Sequence, residues 1–312
     1  MVQLDYTFVD GIPILDLYAD SVRCVAGTVI ERKRATRFAV QWILKKLEQF
    51  GVKDMNIRTD SEHAIVALAR EVKRLHPRDV VLEVAPEVDH QADGGVERFH
   101  RILQDQVRAL KFQAEKNLGL TLKSDAATTK WLVLHASWII FRFLKSKTLK
   151  STGYYRVYHK NYSGTMVNLF ETVLARRAEE VVAGRRTSKW DSRWKMGTWL
   201  GKTEISDERL IYAGGEAAHH RTIRRFVEND PRRWMKQDVL AMKVTPWSMH
   251  EIGEPDQTPG MSLLDDPMLR GHQEGQGRIS SMRQRPLTPG CAACARSGQP
   301  SHGFRHSVKC RN

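Results

Sequence analysis

Residues 2–30 read VQLDYTFVDGIPILDLYADSVRCVAGTVI. β-Branched and aromatic residues crowd into three short runs, 2–9, 13–18 and 22–30, and Ala19-Asp20-Ser21 offers a turn between the last two. This texture predicts an antiparallel meander of three strands. The period then changes. Residues 36–50 set Phe38, Val40, Ile43, Leu44 and Leu47 at helical spacing, and Gly51 follows where a left-handed cap belongs. MNIRTD (55–60) is a strand with a polar tip, 62–75 a helix stopped by Pro77, and VVLEVA (80–85) another strand. A long helix is expected over 95–117, with Phe99, Leu103, Val107 and Leu110 as its buried stripe, and a Trp- and Phe-rich helix over 128–144. Three antiparallel strands followed by alternating helices and strands predict a mixed, five-stranded α/β sheet covered on both faces.

Charge is distributed unevenly along this frame. The 312 residues carry a formal net charge of +14, which points to an anionic partner, nucleic acid foremost. Residues 1–97 hold 13 Lys/Arg against 16 Asp/Glu, whereas 98–250 hold 29 against 14. An acidic first third followed by a basic middle suits a metal site served by a DNA-binding surface, though a well-solvated surface would also carry such charge. Three of the four cysteines fall in the last 22 residues, which excludes a disulfide framework for the whole chain and fits a reducing compartment, nucleus or cytoplasm. The longest apolar stretch, 131–144, is interrupted by His135, Ser137 and Arg142, so neither a membrane span nor a secretory signal is expected.

Three acids stand at unusual places. Asp5 lies mid-strand in an apolar run, Asp60 ends the strand MNIRTD, and Glu97 falls in the first turn of a helix just after Gly94-Gly95. A carboxylate in a central strand is costly unless a positive group balances it, and divalent Mg²⁺ or Mn²⁺ prefers such oxygens. Phosphodiester chemistry needs one oxygen activated and another stabilised, which two ions can do together if one carboxylate, Asp5, bridges them and Asp60 and Glu97 flank. Taken singly, each acid has a plainer reading: Asp60 as a helix cap, Glu97 as a first-turn residue, Asp5 as an exposed strand residue.

The motifs carry a resemblance. IRTDSE (57–62) resembles the segment around the second acid of retroviral and retrotransposon integrases, HQADGGVERFHRIL (90–103) their His-Gln-x-x-Gly-x-x-Glu-Arg motif, and LDYTF (4–8) the strand of the first acid. Thirty-six residues separate Asp60 from Glu97, close to the D,D-35-E spacing of that family. The match covers about the first 185 residues, with GYYRVYHKNYSGTMVNLFE (153–171) similar to the segment after the core in copia-type elements. The resemblance implies a ribonuclease-H-like fold, 3′-end processing and strand transfer of element DNA, Asp5, Asp60 and Glu97 as ligands of two Mg²⁺ or Mn²⁺ ions, Gln91 at the DNA end, and a homo-oligomer. The chain departs from the family in Asp60-Ser61-Glu62 for the usual aspartate–asparagine–glycine, and in Asp93-Gly94 for asparagine–glycine. No zinc module precedes Asp5, which raises a truncated relic that binds nucleic acid without catalysis as the competing reading, beside a nuclease of the same fold that does not join DNA.

Arg98, Arg101 and Arg108 are the candidate DNA contacts, with Glu97, Arg101, Gln104 and Arg108 falling on one helix face. From residue 186 to 236 the texture becomes short strands with Gly turns, RWKMGTWLG, ERLIYAGG and HHRTIRRF, a small β module that resembles the SH3-like domain following copia-type integrase cores and whose core is expected to hold Trp190, Trp194 and Trp199. Basic groups on such a module would hold phosphates in a way that weakens steeply with salt. Residues 237–290 read as a disordered linker. The tail, CAACARSGQPSHGFRHSVKC (291–310), offers Cys291, Cys294, His306 and Cys310, with His302 as an alternative, as candidate Zn²⁺ ligands.

Overall fold

The computed structural model describes residues 1–85, 94–176, 190 and 192–248. The chain divides into two compact units, 1–265 and 266–312, and every described residue belongs to the first. Gln91 and the tail residues Cys291, Cys294, His302, His306 and Cys310 lie outside the described residues.

Strands β1 (Val2–Val9), β2 (Ile12–Ala19) and β3 (Cys24–Val29) form the expected meander. Helix α1 (Arg37–Phe50) starts at Thr36, whose side chain accepts from the Ala39 N–H, and ends at Gly51 in the left-handed conformation, φ 69°. Strand β4 (Met55–Thr59), helix α2 (His63–Leu75) and strand β5 (Val80–Val84) come next. The sheet order is β3-β2-β1-β4-β5, antiparallel on the meander side and parallel between β1, β4 and β5. With helices on both faces, this is the ribonuclease-H-like arrangement.

The faces separate cleanly. Even positions of β1 (Val2, Leu4, Tyr6) pack with Ile43, Leu47, Ile65 and Leu68 of α1 and α2. Opposite them, α3 (Gly94–Leu118) lays Val96, Phe99, Leu103, Val107 and Leu110 against the sheet, and α4 (Ala127–Phe143) joins it. Helix α4 is buried around most of its circumference, as a helix apolar on all sides must be. Its far side carries a second sheet.

That sheet is antiparallel, in the order β10-β6-β7-β8-β9, and fits the SH3-like module. It comprises β6 (Thr172–Arg176), β7 (Trp194–Lys202), β8 (Arg209–Ala213), β9 (Glu216–His220) and β10 (Ile223–Arg225). Helix α5 (Gly153–Tyr158) precedes it and α6 (Lys236–Leu240) closes it. Three findings differ from the sequence expectation. β6 arises within 1–185 yet pairs with β7 in the second sheet. Of the three tryptophans, only Trp199 is core; Trp194 is half-buried under the Arg224 guanidinium, 4.5 Å from its ring centroid, and Trp190 is exposed. Residues 236–248 pack rather than link: Val239 and Met242 are buried, and Trp131 Nε1 donates to the Val244 carbonyl at 3.0 Å.

His135 of α4 is wedged between Trp138 and Trp199, ring centroids 5.7 and 5.1 Å away, and its buried Nδ1 has no hydrogen-bond partner among the described residues. Burial, assisted by the Arg142 charge, pushes its pKa down to about 3. In the unfolded chain a histidine titrates near 6.5. The unfolded state therefore binds the extra proton, and stability is full above pH 6.5 and lost as pH falls towards 3. Urea denaturation from pH 7 to 4 is expected to show this loss at about 1 kcal/mol per pH unit, and His135→Phe to flatten the curve by one proton. An unchanged slope in the variant would place the acid sensitivity elsewhere.

Candidate active site

β1 turns its odd residues towards α3. Gln3 Oε1 accepts the Val96 N–H at 3.2 Å, and Thr7 Oγ1 donates at 2.7 Å to Asp16, which meets His100 of α3. Asp5, between Gln3 and Thr7 in an alternating strand, faces the same way. It pairs across the β1–β2 ladder with Asp16. β4 runs parallel to β1 with Gln3 opposite Arg58, so carrying that register on by two residues sets Asp60 beside Asp5. Asp60 lies one residue past the end of β4 and is half-buried. It does not cap α2, whose N-cap is Glu62; instead its Oδ1 accepts the Glu62 N–H at 3.2 Å and closes a turn that holds the carboxylate at the strand's tip.

Glu97 is exposed in the first turn of α3. At 100° per residue it shares the helix flank with His100 and Gln104, and the Gln104 amide reaches the Phe8 carbonyl of β1 at 3.4 Å. The same flank meets β2 through His100 and Asp16. Asp5, Asp60 and Glu97 thus come from one sheet face, the adjoining strand tip and the helix flank beside them. Among the described residues, no group of three His, Cys, Asp or Glu side chains is drawn close enough to hold a metal ion.

The donor set nonetheless suits hard divalent cations. All three side chains offer only carboxylate oxygens. Asp5 also stands directly opposite a second acid, Asp16, across the β1–β2 ladder. Asp16 is fully buried and its Oδ1 has no hydrogen-bond partner among the described residues. Burial pushes the Asp16 carboxyl above the usual carboxylate range, against the opposing pull of its bonds to His100 and Thr7.

No family model matches the chain, and no curated protein does. Solved structures offer distant likenesses. The catalytic core domain of BIV integrase is 19% identical with a TM-score of 0.38, over 51% of this chain and 93% of that one. The simian T-cell lymphotropic virus intasome in complex with PP2A regulatory subunit B56 gamma is 16% identical with a TM-score of 0.40, over 73% and 79%. Strand order and register, rather than likenesses this remote, define the fold.

The arginines predicted as DNA contacts are all exposed on α3. Arg101 and Arg108 continue the flank of Glu97 and Gln104, and Arg108 is held 3.0 Å from Asp105. Arg98 lies about 100° round the helix from Glu97, off that flank. Two features escape sequence reasoning. Lys33, from the connection between β3 and α1, lies 2.8 Å from Glu62 and 4.8 Å from the Phe8 ring centroid, which puts a cation beside the Asp60 turn. Asp16 with His100 is the other. Among the described residues no helix is long and apolar enough to cross a membrane.

Proposed function

We propose that the chain is an integrase-type polynucleotidyl transferase of a copia-type retroelement, which processes the 3′ ends of element DNA and transfers them into target DNA. The observation that supports this reading most is that β1, which carries Asp5, runs parallel to β4, whose tip leads directly into Asp60, while the Glu97 flank of α3 is fastened to β1. Asp5, Asp60 and Glu97 hold two Mg²⁺ or Mn²⁺ ions, which activate the attacking oxygen and stabilise the leaving one. The exposed Arg101 and Arg108 row beside Glu97 lies along the DNA backbone and Gln91 contacts the DNA end. The protein works as a homo-oligomer inside the cell, and Cys291, Cys294, His306 and Cys310 bind zinc in the tail.

The test is cleavage and joining of duplexes that carry the element's terminal sequence, in Mg²⁺ or Mn²⁺. The full chain should nick near the 3′ end and join the product to a second duplex, and Asp60→Asn should reduce both rates by at least about 10³-fold without altering the circular dichroism. Metal-dependent nicking without joining would make the protein a nuclease. Retained DNA binding with no metal-dependent chemistry in the parent would leave a catalytically silent relic.

A further inference from the structure

The two edges of the first sheet are treated differently. β3 bounds it on one side, and α4 lies along that edge, where the Ser137 hydroxyl accepts the outward Gly27 N–H at 2.8 Å. β5 bounds it on the other. The Ala85 N–H, just past the end of β5, donates to the Thr59 carbonyl at 2.8 Å. In a parallel ladder alternate residues turn both their N–H and C=O to the same side. Val81 and Glu83 therefore bond β4, and Val80, Leu82 and Val84 turn their backbone groups outward. Among the described residues nothing bonds these three outward donors and acceptors.

Sheets guard an open edge with lysine, proline, a bulge or shortness. β5 has only the last. Its five residues, VVLEV, pair with β4 in unbroken register. Its single charge, Glu83, is engaged within the sheet, where its carboxylate accepts from Asn56 Nδ2 at 2.6 Å and Arg58 Nη2 at 3.0 Å. Val81 and Val84 are 54% and 45% exposed, on opposite faces of the strand.

The strand is complementary to itself. Laid antiparallel to a second copy about a two-fold axis through Leu82, it pairs Leu82 with Leu82 and Val80 with Val84 in both directions. All three outward residues then fall on hydrogen-bonded pairs, each exchanging two bonds. The exposed Val84 gains an apolar neighbour, and Glu83 stands opposite Val81 rather than opposite its own copy. An axis through Val81 would leave Val84 without a partner inside the strand. An axis through Glu83 would set the two carboxylates face to face.

We propose that the open edge of β5 docks a second copy of this chain, so that two five-stranded sheets join into one. The axis stands perpendicular to the sheet, and both copies present α3 and Asp60 on the same side of it. This gives an interface to the homo-oligomer proposed above and rests on that reading.

The experiment is sedimentation velocity of the full chain over a range of concentrations, with amide hydrogen exchange of residues 80–84. The chain is expected to dimerise reversibly, and these amides to exchange more slowly as concentration rises. Val84→Lys adds an ammonium at both ends of the symmetric seam and should raise the dimer dissociation constant at least about tenfold. Val81→Lys, at a still more exposed position, must act in the same direction. Val227→Lys, at a valine 75% exposed outside either sheet, should leave association unchanged. A chain that stays monomeric overturns the homo-oligomer reading and the interface with it. Association that neither β5 variant weakens, or that leaves the exchange of 80–84 unchanged, overturns the interface alone. Protection of 80–84 at every concentration would mean that another segment of the chain covers the edge, which also refutes it.

Discussion

Glu204→Gln is expected to lower the stability of the chain by about 3–5 kcal/mol at pH 7. Glu204 lies in the turn between β7 and β8 and reaches across to the first sheet's helices. Its Oε1 is 3.0 Å from Lys46 Nζ of α1, and its Oε2 is 3.2 Å from Arg142 Nη1 of α4. Both cations are almost completely buried, with side-chain exposures of 6% and 1%. The Arg142 guanidinium is further enclosed by aromatic rings, 4.0 Å from the Trp138 centroid and 5.5 Å from Tyr162. Glutamine keeps the shape and an acceptor oxygen but removes the charge that compensates two desolvated cations. Arg142 cannot shed its proton, so relief must come from Lys46, whose pKa burial already lowers. The variant's folded state would then bind fewer protons than its unfolded state below the ordinary lysine pKa, and stability would rise with pH. Urea midpoints at pH 7 and 9.5 should therefore show a deficit that narrows at the higher pH, and Lys46→Met in the Glu204→Gln background should restore part of the loss. A deficit that is small and flat with pH would mean that solvent reaches these groups and screens them.

The same network shows what a sequence exposes and what it conceals. The first sheet and its helices are legible because their periods are long and consistent: the strand and helix ends expected from apolar spacing fall within two residues of those observed for β1, β2, β3 and α1 to α4. The second sheet is less so. β6 is five residues, TVLAR, and its partner strand begins at Trp194, so nothing local marks it. HHRTIRRF reads as one strand but is split between the end of β9 and β10 by a turn at Arg221. Tryptophan identity also misleads, since burial depends on which face of β7 meets α4, and only Trp199 does so fully. For the candidate site, the spacing and local setting of Asp5, Asp60 and Glu97 are visible in the chain. Asp16 is not: an acid in an alternating strand ordinarily faces water, and its burial comes from α3 and α4 arriving over that face. The run Ile14-Leu15 before it and Leu17 after it, apolar on both sides of the strand, is the one local hint that neither face of β2 is solvated.

On the function proposed above, Gly95→Ala is expected to reduce metal-dependent joining by about 10²-fold or more while the protein still folds. The expectation comes from how closely α3 approaches the sheet at its first turn. A Cβ on Gly95 would overlap the Tyr18 ring of β2 and stand 2.7 Å from Gln3 Oε1, the atom that accepts the Val96 N–H. Gly94, one residue earlier, has open space around the same position, so the pair of glycines is not a uniform hinge and only the second is required sterically. Adding the methyl leaves two ways out. Tyr18, half-buried and bonded through its hydroxyl to Asp20 Oδ1 at 3.1 Å, can swing outward, or the helix can lift from β1 and lose the Gln3 bond. Either costs about 1–3 kcal/mol, as overpacking usually does, which a chain with this much buried core can absorb. The second moves Glu97 away from Asp5, and a displacement near 1 Å is enough to impair the joint role proposed for the two carboxylates. Gly94→Ala serves as the control, with joining within a few-fold of the parent. Steady-state joining at saturating Mn²⁺, with circular dichroism to verify folding, distinguishes the cases: equal loss in both variants would trace the effect to backbone freedom in this stretch, and no loss in Gly95→Ala would mean that the separation of Asp5 and Glu97 does not depend on how tightly α3 sits on β1.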